Sequence, residues 1–213
     1  MQVKASSLPA LLLAALALLW TDLPARSQDT VVLKNGALRE GKVTGVSGGN
    51  VRIQMPTGST VGTPLADVKE VRMAAPAELA AAADKLAKGD AKGAVAMLQK
   101  LNDTFAGLPA AWSQRAAALL GDAKLEAGDK AGAQAAYEQF VKAYPQATAM
   151  ASLGQARLAV EGGKFPEAEK LLKPLLASHT KTILPAPADG STLCQSHYLM
   201  GRVREAAGDH QAA

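Results

Sequence analysis

Leu120 to Pro145 reads LGDAKLEAGDKAGAQAAYEQFVKAYP. On the second half of this stretch Ala133, Tyr137 and Phe140 fall four and three residues apart, so they share one face of a helix. Before them, Leu120 and Gly121 end in a Gly128-Asp129 pair, and after them Pro145 removes a backbone donor and stops the helix. Gly121 and Ala133 are small enough to let two helices approach closely, and Gly128 supplies the turn between them. The stretch predicts an antiparallel helical hairpin with two aromatic rings facing the next element.

The same signature recurs along the chain. Gly89-Asp90, Gly163-Lys164 and Gly208-Asp209 repeat the turn, and each glycine is followed five residues later by alanine: Ala94, Ala133, Ala168 and Ala213. The first three units continue with large apolar pairs, Leu98 and Leu101, Tyr137 and Phe140, Leu172 and Leu175. On these residues the region resembles the tetratricopeptide repeat family. Its period of about 34 residues compares with 39, 35 and 45 between successive turn glycines here. The excess is expected in loops. The longest, Ser178 to Thr192 with Pro185-Ala-Pro-Ala-Asp-Gly inside it, is expected to project between the third and fourth hairpins. Residues 77–213 would hold about three and a half hairpins. The repeat stops at Ala213 in the first turn of a second helix with no polar cap after it, so the array is expected to be C-terminally incomplete.

Upstream of the repeats the pattern changes. Lys4, the apolar run Leu8 to Trp20 and the small-x-small site Ala25-Arg26-Ser27 read as a signal peptide over residues 1–27, with a run too short for a membrane span. From Asp29 to Met73 the period becomes two. Val31 to Lys34, the turn Asn35-Gly36, and Val51, Ile53 and Met55 alternating with Arg52 and Gln54 predict about five short strands, a small curled sheet or barrel. Val31-Val-Leu-Lys-Asn-Gly, Glu40-Gly-Lys-Val and Leu65-Ala-Asp-Val-Lys-Glu-Val resemble the SH3-like and Sm-like barrels. The loop and Arg-Gly pair with which Sm-like proteins read RNA have no counterpart in Ser47-Gly-Gly-Asn or Lys69-Glu-Val-Arg-Met. The fold class is therefore mainly α: a tetratricopeptide-like solenoid behind a small all-β barrel at 29–73, hinged at Ala74-Ala75-Pro76.

Little in the chain points to chemistry. His179, His197 and His210 lack metal-ligand spacing, and no phosphate-binding loop or nucleophile elbow is present, so neither a metal nor a cofactor is expected. The single Cys194 has no partner for a disulfide within the chain and reads as a buried helix residue. A formal charge of +4 is too small an excess for a nucleic-acid surface. The Gly-Asp aspartates read as helix caps rather than catalytic groups.

The resemblance implies that proteins or peptides dock on the first helix of each hairpin. By that correspondence the groove candidates are Arg115, Ala118, Asp122 and Leu125 in the second hairpin, and Gln195, Tyr198, Arg202 and Glu205 in the fourth. Met150, Leu153 and Arg157 stand in the third, where either Gly154 or Ala156 is the close-packing residue. Arg115, Arg157 and Arg202 facing inward would favour acidic peptides or a C-terminal carboxylate. The reading is a non-catalytic scaffold or adaptor, exported to the periplasm or cell envelope or secreted, serving a membrane-associated assembly or self-associating. The alternative is the accessory repeat region of an exported enzyme whose catalytic domain lies beyond Ala213.

Overall fold

The computed structural model describes residues 28–179 and 187–209. The expected signal peptide lies outside them. Five strands come first: β1 (Asp29–Leu33), β2 (Leu38–Ser47), β3 (Asn50–Gln54), β4 (Thr60–Pro64) and β5 (Val68–Arg72), with a single 3-10 turn, Leu65–Asp67, before the last. Seven helices follow: α1 (Ala77–Ala87), α2 (Ala91–Phe105), α3 (Ala111–Glu126), α4 (Lys130–Ala143), α5 (Thr148–Glu161), α6 (Phe165–His179) and α7 (Pro187–Ala206). None of the described helices is long and apolar enough to cross a membrane.

Alternation governs the sheet. In β3, Val51 and Ile53 are buried while Arg52 and Gln54 are exposed, so one face forms a core with Val31, Val43 and Val71. The strands run antiparallel in the order β4-β3-β2-β1-β5, with a bulge in β2 between Val43 and Gly45. The sheet curls far enough for Arg39 on β2 to donate to the Thr63 hydroxyl on β4 at 2.8 Å.

The expected barrel does not close. β4 pairs only with β3 and β5 only with β1, because the 3-10 turn carries the chain from one edge to the other without joining them. The opening is filled from outside by the connection between α2 and α3. Leu108, with no exposed surface, and Ala110 belong to the sheet's core, with Phe105 and Trp112 packed against it. The Val71 amide on β5 donates to the Pro109 carbonyl at 2.9 Å.

The helices pair as the repeats predict: α1 with α2, α3 with α4 and α5 with α6, while α7 opens a fourth unit. All four turns close alike. Gly89, Gly128, Gly163 and Gly208 take φ between 71° and 84°, and in each the glycine and the next residue donate to carbonyls three and five residues back. This left-handed cap satisfies carbonyls at the helix end that otherwise have no partner, and only glycine adopts it without strain. In the first two turns the aspartate then caps the next helix: Asp90 accepts from the Gly93 amide at 2.9 Å and Asp129 from the Gly132 amide at 2.8 Å. Lys85, and then the Gly93 amide, hold the Asp90 carboxyl below its ordinary range.

The span expected as a long loop, Ser178 to Thr192, is helical where it is described. α6 extends to His179 and α7 starts at Pro187, so only residues 180–186 separate them, and these lie outside the described part. Proline fits a first helical turn because the amide it lacks has no helical partner there. Cys194 is exposed on α7, contrary to the expectation of burial, since α7 turns Ser196, Leu199, Met200 and Val203 inward.

Candidate protein-docking face

The face is built on the first helices of successive hairpins, α3, α5 and α7, which lie side by side. Their spacing is set by one ring. A Cβ added at Gly121 on α3 or at Gly154 on α5 would overlap the ring of Tyr137, which reaches in from α4. Gly154 is thus a close-approach residue of the third hairpin, while Ala156, fully buried, packs in that hairpin's own core.

Three of the candidates meet in one polar chain. Tyr137 donates its hydroxyl to Asp122 Oδ1 at 2.5 Å, and Asp122 Oδ2 pairs with Arg157 Nη1 at 2.5 Å. Arg157 Nη2 donates to Gln195 Oε1 at 3.1 Å, and Gln195 Nε2 donates to Ser191 Oγ at 3.4 Å. The Arg157 and Asp122 side chains are 23% and 19% exposed, enough to remain at the surface of the face yet largely shielded. Burial, and next the Asp122 charge, push the Tyr137 phenol above its ordinary value.

The remaining candidates lie apart from this chain. Arg202 pairs with Glu161 at 3.1 Å, both well exposed. Arg115 is exposed and makes no ion pair among the described residues, and Tyr198 is 66% exposed. Leu125 is half-buried, whereas Leu153 is buried in the core shared by α5, α6 and α7. Ala118 and Met150 pack against the Ala117, Phe140 and Tyr144 cluster. Two of the three arginines are paired with carboxylates of the array, because Asp122 and Glu161 sit within reach on adjoining hairpins.

Tyr137 and Ser191 joined the candidates only in three dimensions. The first was legible as a packing residue but not as a hydrogen-bond donor to the face. A cleft of about 810 Å3 lies between α4, α5 and α6, lined by Lys130, Gln134, Tyr137, Gln155, Lys170 and Pro174 among others; it shares Tyr137 with the face and holds none of the groove candidates read from the sequence.

No curated protein and no solved structure matches the chain. The family model described as tetratricopeptide repeat matches residues 118–179, from the middle of α3 to the end of α6, the span that contains Tyr137, Asp122 and Arg157.

Proposed function

We propose that the chain is a non-catalytic adaptor that docks another protein or peptide on the face formed by α3, α5 and α7. Tetratricopeptide repeats generally mediate protein–protein interactions, and residues 118–179 match that family. The observation that carries the reading is the side-by-side arrangement of these helices with Arg115 and Tyr198 exposed upon them. Neither side chain has a hydrogen bond or ion pair among the described residues, so both are free to contact a partner. Tyrosine and arginine are, with tryptophan, the residue types enriched among those that carry binding energy in interfaces.

Export completes the proposal. The Lys4, Leu8 to Trp20 and Ala25-Arg26-Ser27 pattern supports delivery to the periplasm or cell envelope, with a mature chain beginning at Gln28. The β-sheet, in this reading, is an SH3-like module fixed to the start of the repeats.

The test is affinity capture from an envelope extract with the mature chain and with the Arg115→Ala, Tyr198→Ala double variant. A defined partner captured by the wild type and lost by a variant that melts normally supports the reading. Capture unchanged by the double variant moves the interface off this face. N-terminal sequencing of the exported product tests the cleavage site, and a product that retains Met1 refutes it.

A further inference from the structure

Arg157 occupies the middle of the α3, α5, α7 face, but its guanidinium is already engaged. An arginine recognises a carboxylate by presenting two parallel N–H groups to its oxygens. Here Nη1 pairs with Asp122 from the preceding hairpin at 2.5 Å and Nη2 donates to Gln195 from the following one at 3.1 Å, one contact on each nitrogen, so the positive charge already has its counter-charge. Asp122 is itself fixed, since its other oxygen accepts from the Tyr137 hydroxyl at 2.5 Å. A ligand carboxylate that approaches this arginine meets a guanidinium already paired with the protein's own carboxylate.

We propose that Asp122 is an internal stand-in for a ligand carboxylate and the residue that sets the specificity of the face, so that the wild-type groove docks peptides carrying no carboxylate at this position. The inference rests on the docking face described above. A tethered carboxylate acts at an effective concentration of about millimolar or more, and a peptide acid must displace it while also replacing its bond to Tyr137. Removing the Asp122 charge leaves a shielded, positioned guanidinium without its counter-charge, which is a carboxylate site. Gln195, a neutral acceptor, holds the other arm and contributes less to the exclusion.

The experiment titrates the isotopically labelled full chain with two probes and follows the arginine side-chain N–H resonances. One probe is acetyl-Gly-Glu-Gly-amide, whose only carboxylate is a side chain; the other is acetyl-Gly-Gly-Gly with a free C-terminus. The wild type is expected to show no saturable shift of Arg157 with either. Asp122→Asn keeps an acceptor for Tyr137 and is expected to bind at least one probe about tenfold or more tightly than the wild type, the size of a charge-assisted hydrogen bond. Whichever probe gains more identifies the carboxylate source the freed site accepts. The Asp122→Asn, Arg157→Gln double variant, followed through the backbone amides of α5 in parallel with Asp122→Asn, is expected to lose the gain. Wild-type binding as tight as that of Asp122→Asn overturns the proposal, as does a folded Asp122→Asn with no gain. Should Asp122→Asn fail to fold, the Asp122→Ala, Tyr137→Phe double variant removes the carboxylate together with the hydroxyl it holds, and its failure, when folded, to bind either probe above wild type also overturns it. Partner capture through Arg115 and Tyr198 is read separately, so a captured partner with no gain in Asp122→Asn sinks this inference and leaves the docking face standing.

Discussion

At the scale of single residues, the Tyr137 ring decides how closely two hairpins stack. Alanine is ordinarily better than glycine inside a helix by about 0.5–1 kcal/mol, yet at Gly121 and Gly154 the added methyl would overlap that ring. Overpacking of this kind costs roughly 1–3 kcal/mol, so Gly121→Ala and Gly154→Ala are each expected to lower the urea midpoint, and an unchanged or raised midpoint would show that the ring can move aside. The Tyr137 hydroxyl makes a second prediction. Burial and the Asp122 charge raise its pKa in the folded chain, and burial raises that of Tyr144 as well. Above about pH 10, where an unfolded tyrosine loses its proton, the unfolded chain binds fewer protons than the folded one. Stability is then fully present below that value and falls as pH rises towards the folded pKa. Urea midpoints measured from pH 8 to 11 should fall, and less steeply for Tyr137→Phe. Parallel slopes for the two proteins would remove Tyr137 as the cause. Gly121, Ala133, Tyr137 and Phe140 were legible in the sequence because small and large residues at helical spacing have one packing solution. The pairing of Arg157 with Asp122 was not, since 35 residues separate them and only the stacking angle brings them together. The exposure of Cys194 was missed for a similar reason: a cysteine's burial depends on which way its helix is turned.

At the scale of elements, the turns and strands followed from local chemistry, and the Gly-Asp pair works twice, as the end of one helix and the cap of the next. The α2 to α3 connection did not follow, because Gly107-Leu108-Pro109 reads as an ordinary link between hairpins. Its geometry is imposed from both sides. Tyr144 of the second hairpin accepts from the Gly107 amide at 3.0 Å and lies 3.3 Å from the Ser113 hydroxyl, which reaches the Leu108 carbonyl at 2.6 Å. The loop so held delivers Leu108 into the open sheet. Leu108→Ala is therefore expected to cost roughly 2–5 kcal/mol, as for a leucine removed from a core, although the residue belongs to no strand or helix. Hydrogen exchange should show the amides of Val31, Val51 and α2 losing protection together. A loss confined to the loop would mean that the connection merely rests against the sheet.

At the scale of the whole molecule, the Ala74-Ala75-Pro76 segment allows a hinge by composition, but the sheet and the first hairpins are packed against each other. β2 approaches the end of α2 so closely that a Cβ at Gly45 would lie 2.7 Å from the Thr104 carbonyl, and Leu108, Phe105 and Trp112 join the sheet's core from the helical side. A repeat array is stabilised by each unit's contact with its neighbours, and its terminal unit needs a cap. The sheet covers the end of α2 and the connection to α3, so it stands beside the first hairpin as a neighbouring unit would. A mature chain lacking residues 29–72 tests this by the distance the damage travels. Exposing Leu108 alone forfeits about 1.5–3 kcal/mol of burial, and Phe105 and Trp112 add to it. Nearest-neighbour coupling predicts that α2 amides lose at least about tenfold in protection, while those of α5 and α6, two hairpins away, stay near their values in the intact chain. Unchanged protection in α2 would make the sheet a separate body tethered by its linker. Loss of protection throughout the helices would mean that the sheet nucleates the whole array, and a stack of hairpins joined only to neighbours could not behave in that way.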